Sequence, residues 1–228
     1  MSLVSIVIPV RDGERYLPEA IDSALGQEGA EVEVIVVDDG SVDASAEIAA
    51  GYGAEVCLAR LAPRGPGAAR NHGVGLARGS HVTFVDADDV LTPRSVACRL
   101  DAFARAPAPD IVWGWARCFR SPELSAEEAA VLDCPGQPLR ARVPAGMVVR
   151  SETLRTLGPF SEELRLGEFI EWAGRANDSA AVQDEVAEVV FLRRLHLTNA
   201  GRRNRAASGD YARALKSVLD RRRAEAGS

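Results

Sequence analysis

The chain has 228 residues, 46% of them hydrophobic and 26% charged, with a formal net charge of −6. That is an ordinary globular balance, long enough to bury a sizeable core in one large domain, and nothing in it suggests a nucleic-acid partner. Cys57, Cys98, Cys118 and Cys134 show no CxxC or metal-finger spacing and read as reduced packing residues of a cytoplasmic protein. No apolar run approaches the ~20 residues of a membrane span, and the start of the chain is a strand without a basic signal region.

Taken in order, "VSIVIPV" is a short apolar run, hence a buried strand, and residues 13–27 carry Tyr16, Leu17, Ile21, Ala24 and Leu25 at helical spacing up to Gly26. "EVEVIVVDDGS" is a second buried strand and turn. Residues 42–53 form a helix with Asp43 as N-cap, and "AEVCLARL" is a third strand. "GPGAARNHGVGLARG" is a glycine-framed helix and "SHVTFVDADD" a fourth strand. Residues 92–106 form a helix with Thr92 as N-cap and Pro93 at the first helical position. Strand–helix alternation with short connections predicts an α/β fold with a doubly wound, mostly parallel sheet flanked by helices.

The second half is less regular. "PDIVWGWARCFRS" reads as a long strand, residues 121–140 as a loop or partly helical insertion, and residues 145–160 as a short strand or turn followed by a small helix. "GEFIEWAGRAND" is a short helix and residues 181–196 contain a further strand. From Asp210 the chain is helical, with Tyr211, Leu215, Val218 and Leu219 expected on one face. Between Arg193 and Arg223 stand ten basic residues against only Asp210 and Asp220. Two readings stand for that tail: contact with phosphates or an anionic membrane surface, and a solvated arginine-rich helix.

In doubly wound sheets ligands bind beyond the carboxyl ends of the strands. Arg11–Asp12, Asp38–Asp39 and Asp86–Asp89 all fall there, so three strands deliver polar clusters to one rim. Asp86 and Asp88 are two apart and share a face of an extended chain, and Asp89 follows at the turn. Hard cations such as Mg²⁺ and Mn²⁺ favour oxygen ligands and take one or two carboxylates plus substrate phosphates. An acidic turn after a strand is the plainer reading of the same residues. "RGPGAARNHG" adds a glycine-rich helix start, with Gly67 in its first turn and Arg64 and Arg70 beside it, where backbone N–H groups favour anions.

In this order and spacing, "VSIVIPVRDGERYLPEAIDSALGQ", "VIVVDDGSVDAS", "GPGAARNHGVGLARG" and "VTFVDADDVLTP" resemble the family 2 glycosyltransferases of the GT-A fold. The likeness covers residues 4–100 closely and continues more loosely through "GPFSEELRLGEFIEWAGRA" and "RRLHLTN". It implies a single GT-A-like domain over residues 1–205. Within it, residues 1–106 form the nucleotide-sugar-binding half and residues 107–205 the acceptor side, and residues 206–228 form a basic helical tail. The implied activity is inverting transfer from a nucleotide-diphosphate sugar to an acceptor the sequence does not name, assisted by Mn²⁺ or Mg²⁺. On that pattern Pro9, Arg11, Asp38, Gly67, Arg70 and Asp86 contact the nucleotide sugar. Asp88, with Asp89, holds the metal, and His196 closes on it from a loop able to stand open without donor. The cysteine usage and the lack of a span or signal region lead to the expectation of a cytoplasmic chain, with peripheral contact at the inner membrane face through the basic tail.

The family's later motif usually reads Glu-Asp with the aspartate as base, and here Glu168 is followed by Phe169, which cannot take a proton. Glu168 is the first candidate base and Glu171, three residues on and paired with Arg175, the second. Phe169 and Trp172 are expected to wall Glu168 with apolar surface. The alternative is a nucleotide-sugar-binding relative that has lost its base. A sugar-1-phosphate nucleotidyltransferase would open with a glycine-rich basic loop and a Rossmann dehydrogenase with G-x-G-x-x-G; "PVRDGERYL" is neither.

Overall fold

The computed structural model describes residues 2–199 and 208–226. Among them, nine strands form one sheet in the order β3-β2-β1-β4-β8-β6-β9-β5, with β7 beside β6. The strands are β1 (Leu3–Val10), β2 (Glu31–Asp38), β3 (Val56–Arg60), β4 (His81–Phe84), β5 (Val90–Leu91), β6 (Ile111–Arg120), β7 (Leu139–Arg140), β8 (Met147–Arg150) and β9 (Gln183–Leu195). The helices are α1 (Leu17–Leu25), α2 (Ser45–Gly51), α3 (Pro66–Leu76), α4 (Ser95–Ala102), α5 (Ala126–Ala130), α6 (Ser151–Leu157), α7 (Glu168–Asp178) and α8 (Ser208–Ala226).

Strands β1 to β4 pair in parallel, with Val7 opposite Ile35 on β2 and Phe84 on β4. The central strand β1 is apolar on both faces because both are covered. Ile6 and Ile8 face Leu17 and Ile21 of α1, whereas Val7 faces Ala69 of α3 and the aromatic cluster of the second half. Beyond β4 the pairing is mixed: β8 lies antiparallel to β4 and β6, and β6 runs parallel to β9. The carboxyl ends of β1, β2, β4, β6 and β9 therefore point to one rim. A curled α/β sheet with helices on both faces is the expected fold.

Local starts differ from expectation in two helices. Helix α2 begins after Ala44, although the Asp43 carboxylate still accepts the Ser45 N–H at 3.0 Å. Helix α4 begins after Arg94, because the Thr92 hydroxyl donates to the Val189 carbonyl and holds residue 92 on β9 rather than capping the helix.

Helix α8 docks on α7. The Asp210 carboxylate accepts the N–H of Arg165 (2.9 Å) and Leu166 (3.3 Å), just ahead of α7. Val218 packs so closely that a β-carbon on Gly174 would meet it at 2.5 Å. Arg221 pairs with Glu171 and Asp178, and Arg222 with Asp178. The buried side is therefore Asp210, Ala214 and Val218, while Tyr211, Leu215 and Leu219 are exposed. Of the stripe expected from spacing Val218 is buried, and the small Ala214 and the ion pairs turn Tyr211, Leu215 and Leu219 outward. The boundary at 205/206, with Arg202, Arg203 and Arg205, lies outside the described residues. Among those described, no helix is long and apolar enough to cross a membrane.

Candidate active site

The loops after β1 and β2 are laced together before they offer anything to a ligand. Asp12, at φ 51°, accepts the Val42 N–H at 2.9 Å, and its own N–H donates to the Ser41 hydroxyl. Asp38 is fully buried; it accepts the Ser41 N–H at 2.9 Å and pairs with Arg60 at 3.2 Å. The Asp39 carboxylate accepts the N–H groups of Arg64 (2.7 Å) and Gly65 (2.8 Å), which fixes the entry to α3. Pro9 sits half-buried near the end of β1, and Arg11 is exposed at the rim beside Asp12.

Helix α3 carries Gly67 and Arg70 to the centre of the rim. A β-carbon on Gly67 would lie 2.2 Å from the Ser161 carbonyl oxygen, so only glycine lets the 160–161 segment approach. Gly67 thus has a packing role, and the same contact brings the chain before α7 against α3. Arg70 is buried and bridges two anions, Asp86 at 2.8 Å and Glu168. Burial would lower the Arg70 guanidinium, yet Asp86 and Glu168 together hold it above the usual arginine range, so it stays charged. Its Nε is buried without a partner.

The acidic turn separates its three carboxylates. Asp86 faces Arg70. Asp88 Oδ2 lies 3.0 Å from His196 Nε2 and accepts from the Asn199 amide at 3.1 Å, with the side chain 30% exposed. Asp89 turns the other way, is buried, and accepts the Arg194 N–H at 2.9 Å. Burial, then repulsion from Asp88 and Asp86, pushes the Asp89 carboxyl well above the usual range, against the pull of the Arg194 N–H. The structure therefore brings Asp88 and His196 together but not Asp89. Among the described residues no three His, Cys, Asp or Glu side chains converge as a metal cage. A carboxylate still partly open to solvent, beside a buried imidazole, fits a hard cation that completes its shell from phosphates and water.

At α7 the expected apolar wall is absent. Phe169 and Trp172 turn into the core, where they stack at 5.9 Å between rings and meet Phe160 and Trp113. Glu168 meets Arg70 instead. Glu171 lies away from the rim, paired with Arg175 at 3.1 Å and Arg221 at 3.2 Å.

Several residues of the site carried no isolated signal in the sequence. The Tyr16 ring lies 4.7 Å from that of His196, and its hydroxyl donates to Glu123 from the irregular segment after β6. Burial raises Glu123, but hydrogen bonds from Ser121 and Tyr16 outweigh it and bring the carboxyl down to about 2. Asn199 and Arg194 stand in "RRLHLTN", where the histidine alone drew attention. Concavities of about 730 and 660 Å³ exist elsewhere, lined by residues such as Cys98 and Val189 or Asn71 and Arg213. Neither includes Asp86 or Asp88, and it is the convergence of charged groups at the rim that marks the site.

The family model for glycosyl transferase family 2 matches residues 5–135. The succinoglycan biosynthesis protein ExoO of Rhizobium meliloti is 38% identical over 154 residues, covering 65% of this chain and 44% of the relative. The uncharacterized glycosyltransferase EpsJ of Bacillus subtilis is 41% identical over 93 residues, covering 40% and 27%. The chain thus spans less than half the length of these curated relatives. Among solved structures, S. aureus TarS 1–349 in complex with UDP-GlcNAc superposes with a TM-score of 0.76 at 20% identity, over 96% of this chain and 65% of that one. The complex of the same protein with UDP gives 0.71 at 19% identity, over 96% and 64%.

Proposed function

Because the chain belongs to glycosyl transferase family 2, we propose that it moves a sugar from a nucleotide-diphosphate sugar to an acceptor nucleophile, with inversion at the sugar carbon. One observation carries the reading. Asp88 and His196, 108 residues apart, meet at 3.0 Å on the same rim where Arg70 holds Asp86 and Glu168. The TarS complexes with UDP and UDP-GlcNAc, on a similar fold, support a nucleotide-sugar donor here.

Asp88 and His196 would hold Mn²⁺ or Mg²⁺, and the cation supplies charge stabilisation for the leaving diphosphate. Pro9, Arg11 and Asp38 border the space for base and ribose, and Asp38 keeps the Ser41 turn in shape. Asp86, half open to solvent, offers its free oxygen to a ribose hydroxyl while Arg70 orients it. Glu168 is the group at this rim that takes the acceptor's proton as the nucleophile attacks from the face opposite the leaving group. It must loosen its contact with Arg70 to do so. Glu171 supports α7 and α8. We place the chain in the cytoplasm, with the basic C-terminal region at the inner face of a membrane.

The test is a thermal-shift screen of nucleotides and nucleotide sugars with and without Mn²⁺, followed by transfer and hydrolysis assays on whatever binds. A ligand that binds only the native state raises stability by about 2.7 kcal/mol at a hundredfold excess over Kd. Metal-enhanced binding of one nucleotide sugar with release of its sugar is the expected result. Binding without turnover of any donor would identify a relative that has lost its base, as Phe169 allows. No nucleotide binding at all would refute both.

A further inference from the structure

Behind the Asp88–His196 pair lies a buried arginine that touches neither side chain. Arg194, near the end of β9, has a side chain 4% exposed. Its main-chain N–H donates to Asp89 Oδ1 at 2.9 Å and its Nε to the Asp88 carbonyl at 3.0 Å, so the 88–89 segment is held on both sides. Its own carbonyl accepts the Asn199 amide at 3.1 Å, and the same amide reaches Asp88 Oδ2. The Asn199 side-chain Oδ1 in turn accepts the His196 main-chain N–H at 2.8 Å. Arg194 is thereby linked to the main chain of the acidic turn and, through Asn199, to that of the histidine loop.

The guanidinium is enclosed rather than offered to a ligand. It lies 4.8 Å from the Tyr16 ring centroid and 4.6 Å from that of Phe119, and pairs with Glu19 on α1. Stacking between two rings while Nε and a terminal nitrogen donate in different directions suits a planar fork and not the point charge of lysine.

We propose that Arg194 is the positioning residue of the Asp88–His196 pair. Its guanidinium fixes the direction of the Asp88 carboxylate by holding the Asp88 carbonyl through Nε, and by seating the end of β9 it places the main-chain N–H and carbonyl of residue 194, groups any residue there would supply, against Asp89 and Asn199. With the carbonyl of residue 88 and the carboxylate of residue 89 both held, only the side-chain torsions of Asp88 remain to be set, and Asn199 and His196 set them. Without that side chain the Asp88 carbonyl loses its donor, and repulsion from the neighbouring Asp86 and Asp89 turns the Asp88 carboxylate among arrangements of which few face His196.

The role rests on the reading that Asp88 and His196 hold a divalent cation, so the experiment carries a control for that reading. Mn²⁺ binding to the full chain is titrated by electron paramagnetic resonance, with and without UDP, for the wild type, D88N, R194K, R194M and E19Q; thermal stability is read in parallel. Partners that orient metal ligands typically contribute 10–100-fold in affinity. Both Arg194 variants should weaken Mn²⁺ binding by about that factor, with no rescue by lysine, and leave metal-free UDP binding unchanged. E19Q should weaken Mn²⁺ binding roughly two- to fivefold, since it removes only the counter-ion of the fork. Loss of Mn²⁺ binding in D88N with unchanged affinity in R194K overturns the positioning role alone. Unchanged affinity in both overturns the cation reading beneath it as well. Should the Arg194 variants fail to fold, E19Q decides, because its carboxylate is exposed: wild-type Mn²⁺ affinity there overturns the proposal.

Discussion

The acidic turn after β4 and the first turn of α7 bring carboxylates to the same part of the molecule and treat them differently. In the turn, three aspartates within four positions are divided among an arginine, a histidine–asparagine pair and a main-chain N–H. On α7, Glu168 is held by Arg70 from across the rim, while Glu171 is held by Arg175 on its own helix and Arg221 on α8. Residue type does not decide which anion is available. Asp88 stays available because its partners are an imidazole and an amide and part of its surface is open; Asp89 and Glu171 are committed to structure. Glu168 lies between, at the rim but with a cationic partner that must yield.

The strongest way to break this contrast is Phe169→Asp, which restores the family's usual pair of acids. If position 169 faced the rim, the aspartate would add a base. Phe169 instead packs against Trp113, Phe160 and Trp172. The change removes a buried ring and adds a carboxylate to an apolar cluster, so a loss of more than about 4 kcal/mol is expected. Chemical denaturation reads it; a stable variant with raised turnover would show that α7 presents a different face. Once a donor is known, Glu168→Gln should lower turnover by about 10²–10⁴ with donor affinity nearly unchanged. A drop of less than tenfold would place the base elsewhere.

Asp88→Asn should reduce turnover by roughly 10²–10³, as expected when several kcal/mol of charge stabilisation at the diphosphate is lost. It should also abolish the Mn²⁺ dependence of nucleotide binding while leaving the melting temperature close to wild type. Binding that keeps its metal dependence would remove Asp88 from the site.

At the other end of β4 the same strand buries a titratable group with no ligand to serve. His81 is held down to about 4 by burial and by the charge of Arg150, and its Nε2 has no partner. In the unfolded chain a histidine titrates near 6.5. Between those values the unfolded state binds the extra proton. Stability is therefore full above about pH 6.5 and declines as pH falls toward 4. About 1–2 kcal/mol of that decline is expected from this residue, less than the full shift implies because solvent screens a site near the surface. Denaturation midpoints of wild type and His81→Gln against pH would test it; parallel curves would exclude His81. The smallest effect is expected of Glu171→Gln, roughly 1 kcal/mol of stability from its two ion pairs and less than a threefold change in turnover. A large kinetic effect there would reverse the assignment of the two glutamates.

The sequence by itself determined the period of the elements, the parallel alternation of the first half and the clustering of Asp38, Asp86 and Asp88 at strand ends. These follow from local rules: apolar runs where both faces are covered, helical spacing where one is, and acids where a strand leaves the core. It also carried the ordered motifs that mark the family, although most of their residues prove to hold the loops that surround the site. Tertiary structure alone decided which groups meet. Arg70 and Glu168 are 98 residues apart, Asp88 and His196 are 108, and Arg194 and Glu19 are 175. No local pattern encodes such pairs, because the partner is chosen by where another strand or helix ends. For the same reason Phe169 turned into the core, Asp89 turned toward β9, and α8 buried Ala214 with Val218 while Tyr211, Leu215 and Leu219 of the expected stripe stayed exposed. In each case packing against a distant element outweighed what the residue's own neighbours would favour.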